Sequence, residues 1–449
     1  MPTSLRYLVF VLCCLPLGLS ALSEAAAERQ ARQIMELSRE EVERRLASID
    51  QSFLEYRVDD VVYRRIVNYL QHWPISSGRM LGRSARFYPI FEEQLRETGL
   101  PLELRHLSIV ESALRSWAVS RVGAAGLWQL MPGTARELGL VVNEVVDERL
   151  DPTLGCAAGL DYLAMQYERY GDWALALAAY NSGPGNVNRA IRRSGSRNYW
   201  KLRRFLPRET RSYVPSFIAA VFLMTYHHEF GLPATPVGLD QQLTERIVIR
   251  RKLSLYQVAR VTGLRPEVVI EMNPQYLRGY LPGWRGGHLL QLPSRVVPAM
   301  LEYLAQYPKG SREDATDLPW AHPRLAAGEL NADRYYERRA APALPTDTTM
   351  RQLAERHGVA LDRMLIWSDR GEQDTLAASD TLYHYTVAHY RPYDPRQRDV
   401  PPPAEPLLAY RQPRIRKSFH YYFYALPEPS PVAPNERRKW WHGLRPVKQ

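Results

Sequence analysis

The residues that could perform acid–base chemistry are concentrated in residues 110–135, which read VESALRSWAVSRVGAAGLWQLMPGTA. Glu111 follows an apolar run at the end of a predicted helix. An apolar wall disfavours the charged form of a carboxyl group and raises its pKa. Glu111 could therefore hold a proton near neutral pH and give it to a leaving oxygen. Taken alone, a glutamate at a helix end is more often a solvated or capping residue.

The segment after Glu111 has the composition of a ligand-binding loop. Ser120, Gly123 and Gly126 are small, and small residues let a backbone approach a bulky ligand closely. The Gln129 amide can both donate and accept hydrogen bonds, which suits a sugar amide or hydroxyl group. The alternative interpretation is an ordinary turn between two helices.

Two further blocks lie downstream, at residues 179–185 (AYNSGPG) and 206–215 (LPRETRSYVP). By itself, the first is a helix end followed by a turn. The second is a loop that leads into a helix and half-buries Tyr213. The density of unusual residues across the three blocks favours a functional site over three independent turns.

In this order the blocks resemble the lytic transglycosylases of the soluble lytic transglycosylase and goose-type lysozyme family. The resemblance extends over roughly residues 50–293 and is closest to a membrane-bound subtype, with a departure at Gly155-Cys156. Its matching positions are Glu111-Ser112, residues 126–129 (GLWQ), 146–152 (VDERLDP), 179–183 (AYNSG) and 209–215 (ETRSYVP).

The resemblance implies a lysozyme-like α fold with a groove for a peptidoglycan strand. It implies that Glu111 protonates the oxygen between N-acetylmuramic acid and N-acetylglucosamine. The muramic 6-hydroxyl group then attacks the anomeric carbon, and Glu111 takes its proton, so that a 1,6-anhydro product forms without water. The positions expected to contact sugar or to support Glu111 are Ser120, Gln129, Tyr180, Asn181 and Tyr213, with Met131 at the floor of the groove.

Two alternatives remain. A hydrolytic muramidase would need a second carboxylate, for which Asp147 and Asp151 are the candidates, although both are expected to be turn and cap residues. A peptidoglycan-binding scaffold with a degenerate enzyme fold is the other, and the intact Glu111, Gln129 and Tyr180-Asn181 argue against it.

The elements that would position these residues are helical up to about residue 240. We predict an N-terminal helical region at 28–98 and a catalytic domain at 99–232, with no strand before residue 240. Hydrophobic periodicity and Gly or Pro punctuation predict the individual helices, which are expected at residues 28–56, 58–70, 85–97, 102–114, 132–138, 154–170, 173–180 and 209–226.

Two small α+β modules of strand–helix–helix–strand order are predicted after the helical part. The first, at 244–295, resembles a LysM glycan-binding module but has Arg251-Lys252 in place of the usual Gly-Asp pair. The second, at 345–388, is a degenerate copy with Trp367-Ser368 at a position where Asn-Pro or Asn-Ala is usual. The predicted fold class is therefore mainly α, with a lysozyme-like domain followed by LysM-like modules.

The termini and composition bear on compartment and partners. Residues 1–27 have the pattern of a secretory signal peptide, with an uncleaved anchor or lipidation at Cys13 or Cys14 as alternatives. Export to the periplasm or cell envelope of a bacterium is expected, with membrane association left open. The Pro-rich basic tail at 391–449 is expected to be disordered, and it could touch anionic wall or membrane surfaces.

The formal net charge of +11 favours an acidic polymer as partner. Nucleic acid conflicts with export, which leaves peptidoglycan and anionic membrane surfaces. No metal or organic cofactor is expected, because His227-His228-Glu229 lacks the spacing of a zinc helix and no Gly-rich phosphate loop is present. The oligomeric state is not indicated.

Overall fold

The computed structural model describes residues 37–306 except 236, 335–340, and 348–392 except 373, 375, 378 and 379. Its helices are α1 (Arg39–Ala47), α2 (Asp60–Val67), α3 (Pro74–Thr98), α4 (Leu107–Ser112), α5 (Pro132–Glu137), α6 (Pro152–Tyr170), α7 (Trp173–Ser182), α8 (Pro184–Ser194), α9 (Tyr199–Leu202), α10 (Tyr213–Tyr226), α11 (Leu239–Gln242), α12 (Leu255–Thr262), α13 (Pro266–Met272), α14 (Val297–Gln306), α15 (Met350–Arg356) and α16 (Leu361–Ser368). Its strands are β1 (Thr244–Ile249), β2 (Leu253–Ser254), β3 (Tyr280–Leu281), β4 (His288–Pro293), β5 (Tyr336–Ala340) and β6 (Tyr383–Val387).

The first part of the chain is helical, as predicted, and packs around α10. Nearly every side chain of α10 is buried, from Tyr213 to Met224 and Tyr226. A helix that is apolar on all sides is expected at the centre of a domain. Helices from both ends of the helical part contribute to the same core, so α10 holds Tyr213 in a rigid position.

The long helix predicted at residues 28–56 is wrong after Ala47, and residues 28–36 lie outside the described part. Beyond α1, Asp50 accepts hydrogen bonds from the backbone N–H and the hydroxyl of Ser52. This local turn competes with helix formation. Phe53 and Leu54 then enter the core from a non-helical segment, which explains why apolar spacing alone was misleading.

Most of the other predicted helices are present, and their ends follow local chemistry. Asp151 caps α6 by accepting from the N–H groups of Thr153 and Leu154, and Gly171 ends it with a φ of 63°. Helix α3 begins at Pro74, eleven residues before the predicted start at 85. Helix α8 was not predicted, although Pro184 at its start is a recognisable signal.

The first small unit, residues 244–293, has the predicted order of strand, two helices and strand. Strands β1 and β4 pair antiparallel, with Thr244 opposite Pro293 and Ile249 opposite His288. Helices α12 and α13 lie between them in sequence and contribute to a separate hydrophobic core. That core also includes Val146, which belongs to the helical part of the chain.

The second small unit begins earlier than predicted. Strand β6 pairs antiparallel with β5 at residues 336–340, upstream of the predicted boundary at 345. The exposed side chains of β5 after Tyr336 give no alternating apolar pattern, so sequence reasoning missed it. Residues 1–27 and most of the tail at 391–449 lie outside the described residues. Each helix within the described ranges is too short or too polar to span a membrane.

Candidate active site

Glu111 lies near the end of α4, with its side chain partly buried against the core. Burial raises the pKa of the Glu111 carboxyl to about 7, and the charge of Glu209 adds to this shift in the same direction. The hydrogen bond from Tyr213 acts in the opposite direction. A carboxyl with this pKa can give or take a proton near neutral pH.

Tyr213 is in direct contact with Glu111. Its hydroxyl group donates a hydrogen bond to Oε1 of Glu111 from the first turn of α10. Burial raises the pKa of the Tyr213 phenol well above its usual range, and the Glu111 charge raises it further. Tyr213 therefore stays protonated and remains a donor to Glu111.

The chain reverses sharply after Glu111-Ser112. Ala113 and Leu114 have φ values of 52° and 59°, in the left-handed region that non-glycine residues rarely adopt. Nε and Nη2 of Arg83 both donate to the carbonyl oxygen of Ala113. The hydroxyl group of Ser112 donates to the carbonyl of Leu127 at 3.0 Å. These contacts fix the end of α4 and join it to the loop that follows.

Residues 118–130 form this loop, which we call the Gln129 loop. Backbone bridges link Ala125 to both Val119 and Leu130. The Ser120 hydroxyl oxygen accepts from the N–H of Ala124 at 3.0 Å, so this predicted sugar contact also stabilises the loop. Gln129 itself has a φ of 46°, and its Nε2 donates to the carbonyl oxygens of Ala118 and Gly126.

Gly126 lets the Gln129 loop approach the backbone of a second segment. It has a φ of 83°, and a Cβ atom there would lie 1.8 Å from the carbonyl oxygen of Arg149. Nη1 of Arg149 donates to the carbonyl oxygens of Gly123 and Leu130 at 2.7 and 2.9 Å. Arg149 lies in the segment at residues 146–152 that contributes to the family resemblance, but its hydrogen bonds to the loop were not predicted.

Trp128 anchors the Gln129 loop in the core. Its ring packs against Phe91, with centroids 5.3 Å apart, and against Gly159, where a Cβ would lie 2.8 Å from the ring.

Cys156 is fully buried, and burial raises its thiol pKa well above the usual range. Gly155 lies so close to the Arg149 carbonyl that a Cβ would be 2.7 Å away. The departure at Gly155-Cys156 is therefore a matter of packing.

The remaining predicted site residues are Tyr180, Asn181 and Met131. The Tyr180 hydroxyl donates to the Trp128 carbonyl at 2.7 Å. Burial raises the pKa of Tyr180 well above its usual range, and the charge of Glu111 raises it further. The Asn181 side-chain oxygen accepts a hydrogen bond from the hydroxyl of Thr210 at 2.8 Å. Thr210 lies three residues before Tyr213 in the chain. Met131 is 43% exposed where the loop meets α5. Thr210, like Arg149, is a contact that sequence reasoning missed.

The two candidates for a second carboxylate have structural partners. Asp147 forms a buried bidentate ion pair with Arg149, at 2.9 and 2.7 Å. Asp151 caps α6 and accepts a further hydrogen bond from Gln275. Both therefore match the turn and cap roles expected from sequence. Within the described ranges, no group of three or more His, Cys, Asp or Glu residues could hold a metal ion.

Comparison with known proteins bears on this site. Residues 88–203 match the family described as "Transglycosylase SLT domain". These residues are therefore similar to the SLT domain family, and we refer to this segment as the SLT domain. The matched range contains Glu111, the Gln129 loop and Tyr180-Asn181, while Tyr213 lies ten residues beyond its end.

Curated relatives of the SLT domain include the membrane-bound lytic murein transglycosylase D of Escherichia coli K12. It is 32% identical over 217 residues, which are 47% of this chain and 47% of that protein. The soluble lytic murein transglycosylase of Salmonella typhimurium is 35% identical over 129 residues, covering 27% of this chain and 20% of that protein. The chain therefore spans about half the length, or less, of these relatives.

A solved structure of the lytic transglycosylase Slt from Pseudomonas aeruginosa, an inactive mutant, also resembles this chain. The two are 25% identical with a TM-score of 0.29, over 47% of this chain and 36% of the other.

Proposed function

We propose that this protein is a lytic transglycosylase that cleaves the β-1,4 bond between N-acetylmuramic acid and N-acetylglucosamine in peptidoglycan. The observation that carries the proposal is the Glu111 carboxyl, whose pKa of about 7 suits one group to give and then take a proton. The SLT domain match and the murein transglycosylases among its relatives support the choice of substrate.

In the first step, the Glu111 carboxyl gives its proton to the glycosidic oxygen, and the bond between that oxygen and the anomeric carbon breaks. The hydrogen bond from Tyr213 then stabilises the Glu111 carboxylate. In the second step, the muramic 6-hydroxyl oxygen bonds to the anomeric carbon, and its proton passes to Glu111. The product is a 1,6-anhydro ring, no water is consumed, and Glu111 is again protonated.

The other site residues divide into two proposed roles. Ser120, Gln129 and Met131 would contact the sugar, with Met131 at the exposed floor of the groove. Tyr180 and Asn181 hold the backbone around the acid through Trp128 and Thr210.

The experiment is mass spectrometry of the soluble fragments released from purified sacculi. We expect fragments that end in 1,6-anhydro-muramic acid. Reducing muramic ends would instead indicate hydrolysis and revive the search for a second carboxylate, while no release would favour a binding scaffold.

The Glu111→Gln variant keeps the shape of the side chain but cannot donate or regain the proton. We expect it to release no fragments while it still binds sacculi and folds. Glu97→Gln, at the exposed end of α3, is the matched control and should cleave like the unchanged protein. Substantial cleavage by Glu111→Gln would show that Glu111 is not the group that gives and takes the proton.

The cellular setting is part of the proposal. A peptidoglycan substrate requires export, which the signal-like residues 1–27 would provide. Fractionation of bacterial cells that express the full chain tests this point, and a cytoplasmic location would contradict it.

A further inference from the structure

The first small unit is joined to the SLT domain by backbone pairing. Val146 and Tyr276 form an antiparallel bridge. The N–H of Asp147 donates to the carbonyl of Gln275, and the N–H of Leu277 donates to the carbonyl of Val145, both at 2.9 Å. The two segments therefore form a short ladder in which each side fixes the path of the other.

Buried side chains reinforce this contact. Val146 is 2% exposed and belongs to the hydrophobic core of the small unit rather than to the helical core. Arg86 of α3 pairs with Glu271 of α13 at 3.1 Å, with both side chains almost fully buried. Such contacts oppose independent motion of the small unit, because separation would expose apolar surface and unpair a buried charge.

The paired segment continues directly into the support of the Gln129 loop. Asp147, whose N–H is held by Gln275, binds the Arg149 guanidinium in a bidentate ion pair. The same guanidinium donates to the carbonyl oxygens of Gly123 and Leu130. Arg149 is 7% exposed, and a charged group this buried is kept in place by its hydrogen bonds.

We propose that the small unit positions the Gln129 loop through Arg149, so that Arg149 is a positioning residue for cleavage. The connection runs from residues 275–277 to 145–147, then through Asp147 to Arg149, and from Arg149 to the loop that carries Ser120 and Gln129. The expected effect of Arg149 on cleavage rests on the proposed function, whereas its expected effect on the position of the Gln129 loop does not.

The first test compares Arg149→Lys with Arg295→Lys in the full chain. Lysine keeps the charge but lacks the planar fork that holds Asp147 and two carbonyls together. Arg295 is the matched control, since it is 3% exposed, forms a bidentate pair with Asp240 at 2.7 and 2.6 Å and lies in a different segment of the chain, directly after β4.

Amide hydrogen exchange of residues 118–130 is measured first, because it does not depend on activity. The N–H groups of Ala125, Gly126 and Leu130 are hydrogen bonded within this loop. We expect Arg149→Lys to speed their exchange by about ten-fold and Arg295→Lys to leave it unchanged. Equal exchange in the two variants would overturn the proposal.

The second readout is the rate of fragment release from sacculi, measured well below the unfolding temperature of each variant. Arg149→Lys should lower kcat/KM by about ten-fold without moving the pH dependence set by Glu111, and Arg295→Lys should retain both. A loosened loop with unchanged kcat/KM would overturn the catalytic part. If the unchanged protein released no fragments, the proposed function would be wrong. Hydrogen exchange would still decide whether the small unit positions the Gln129 loop.

The contribution of the small unit itself is tested with Val146→Ala and Val261→Ala. Both residues are at most 2% exposed in the same core, but only Val146 lies in the segment that pairs with Tyr276. We expect similar losses of stability and faster exchange of residues 118–130 in Val146→Ala alone. Exchange in Val146→Ala that is no faster than in Val261→Ala would show that the unit does not act on the loop through the segment paired with Tyr276.

Discussion

Tyr213 and Glu111 are 102 positions apart in the chain, yet the Tyr213 hydroxyl donates a hydrogen bond directly to the Glu111 carboxyl. Glu111 lies near the end of the short helix α4, and Tyr213 lies at the start of the buried helix α10. Because α10 is fixed by packing on all sides, the distance between the two groups is set by the core of the domain.

Removing this donor should affect both the rate and the pH dependence. In Tyr213→Phe, Glu111 loses the hydrogen bond that lowers its pKa, so the pH at which activity declines should move upward. The carboxylate formed after proton donation also loses its donor, which should lower kcat by roughly ten- to hundred-fold. Kinetics of fragment release across the pH range measure both effects.

Tyr170→Phe is the matched control for this substitution. Tyr170 is 6% exposed, as is Tyr213, and its hydroxyl donates to the carbonyl of Pro184. It should lose similar stability while the pH dependence of activity stays unchanged. A Tyr213→Phe variant whose pH dependence matches that of Tyr170→Phe would argue against direct coupling of Tyr213 and Glu111.

The pH dependence of activity should have one declining limb. A pKa of about 7 for Glu111 predicts that kcat/KM falls about ten-fold per pH unit above pH 7 as the proton donor is lost. No second ionised carboxylate takes part in the proposed mechanism, so no rise from acidic pH is expected from one. A bell-shaped profile with an acidic limb would favour hydrolysis.

The same carboxyl predicts a pH-dependent difference in stability between the unchanged protein and Glu111→Gln. The folded-state pKa of about 7 lies above the ordinary value of 4.5 that glutamate has when exposed in the unfolded chain, so the folded protein binds this proton more tightly. The stability that it contributes is complete below pH 4.5 and is lost as pH rises through 7.

Because glutamine does not titrate, Glu111→Gln should be more stable than the unchanged protein at pH 8, on the order of 1–3 kcal/mol, and similar at pH 4. Urea unfolding at both pH values measures this. Asp161→Asn is the control, because burial raises the pKa of Asp161 also to about 7. It should show the same trend in stability without moving the pH limb of activity. A Glu111→Gln advantage that is independent of pH would contradict the assigned pKa.

Gly126 is predicted to be essential for its space as well as for its backbone conformation. Gly126 and Gly139 have φ values of 83° and 82°, but a Cβ meets nothing within 4 Å at Gly139. Gly139→Ala should therefore cost about 1 kcal/mol for its conformation alone. Gly126→Ala should cost several times more and abolish cleavage, because the Arg149 carbonyl would have to move.

Thermal unfolding and fragment release of the two alanine variants test this difference. Equal losses of stability would mean that the contact with Arg149 is easily relaxed, and the Gln129 loop would then be more adaptable than its packing indicates.

Asp151 offers a direct test of the second-carboxylate alternative. Asparagine can cap a helix as aspartate does, so Asp151→Asn should keep α6 and retain cleavage with 1,6-anhydro products. Asp151→Ala, which loses the cap, should cost about 1 kcal/mol of stability. Loss of turnover in Asp151→Asn without loss of stability would identify Asp151 as a participant in hydrolysis.

Sequence reasoning predicted helices best where caps and periodicity agreed, as at α6, where Asp151 and Gly171 mark the ends. It failed where tertiary contacts decided. The start of α3 was missed because Gly78 and Gly82 lower the helix propensity of the stretch before residue 85. Gly78 is required there by the close approach of Pro233, whose carbonyl oxygen would lie 2.8 Å from a Cβ, and nothing near Gly78 in sequence reveals that contact.

In the candidate site, too, local sequence was informative and tertiary contacts were not predictable. The types of Glu111, Gln129 and Tyr213 indicated chemistry, but only the resemblance to a family connected these separate motifs. The dependence of the Gln129 loop on Arg149 was beyond sequence reasoning, because an arginine in a turn is usually a solvated residue. Roles in sugar binding for Ser120, Gln129 and Met131 remain predictions.

The turn at Ala113 and Leu114 has a consequence for how this protein can change over time. Each residue sits in a left-handed conformation that costs about 1 kcal/mol or more. Glycine at Ala113 would relieve that cost, whereas glycine at Leu114 would also remove a fully buried core side chain. Glycine at Ala113 would loosen the end of the helix that carries Glu111, so we expect variants selected for heat resistance and variants selected for turnover to diverge at this position.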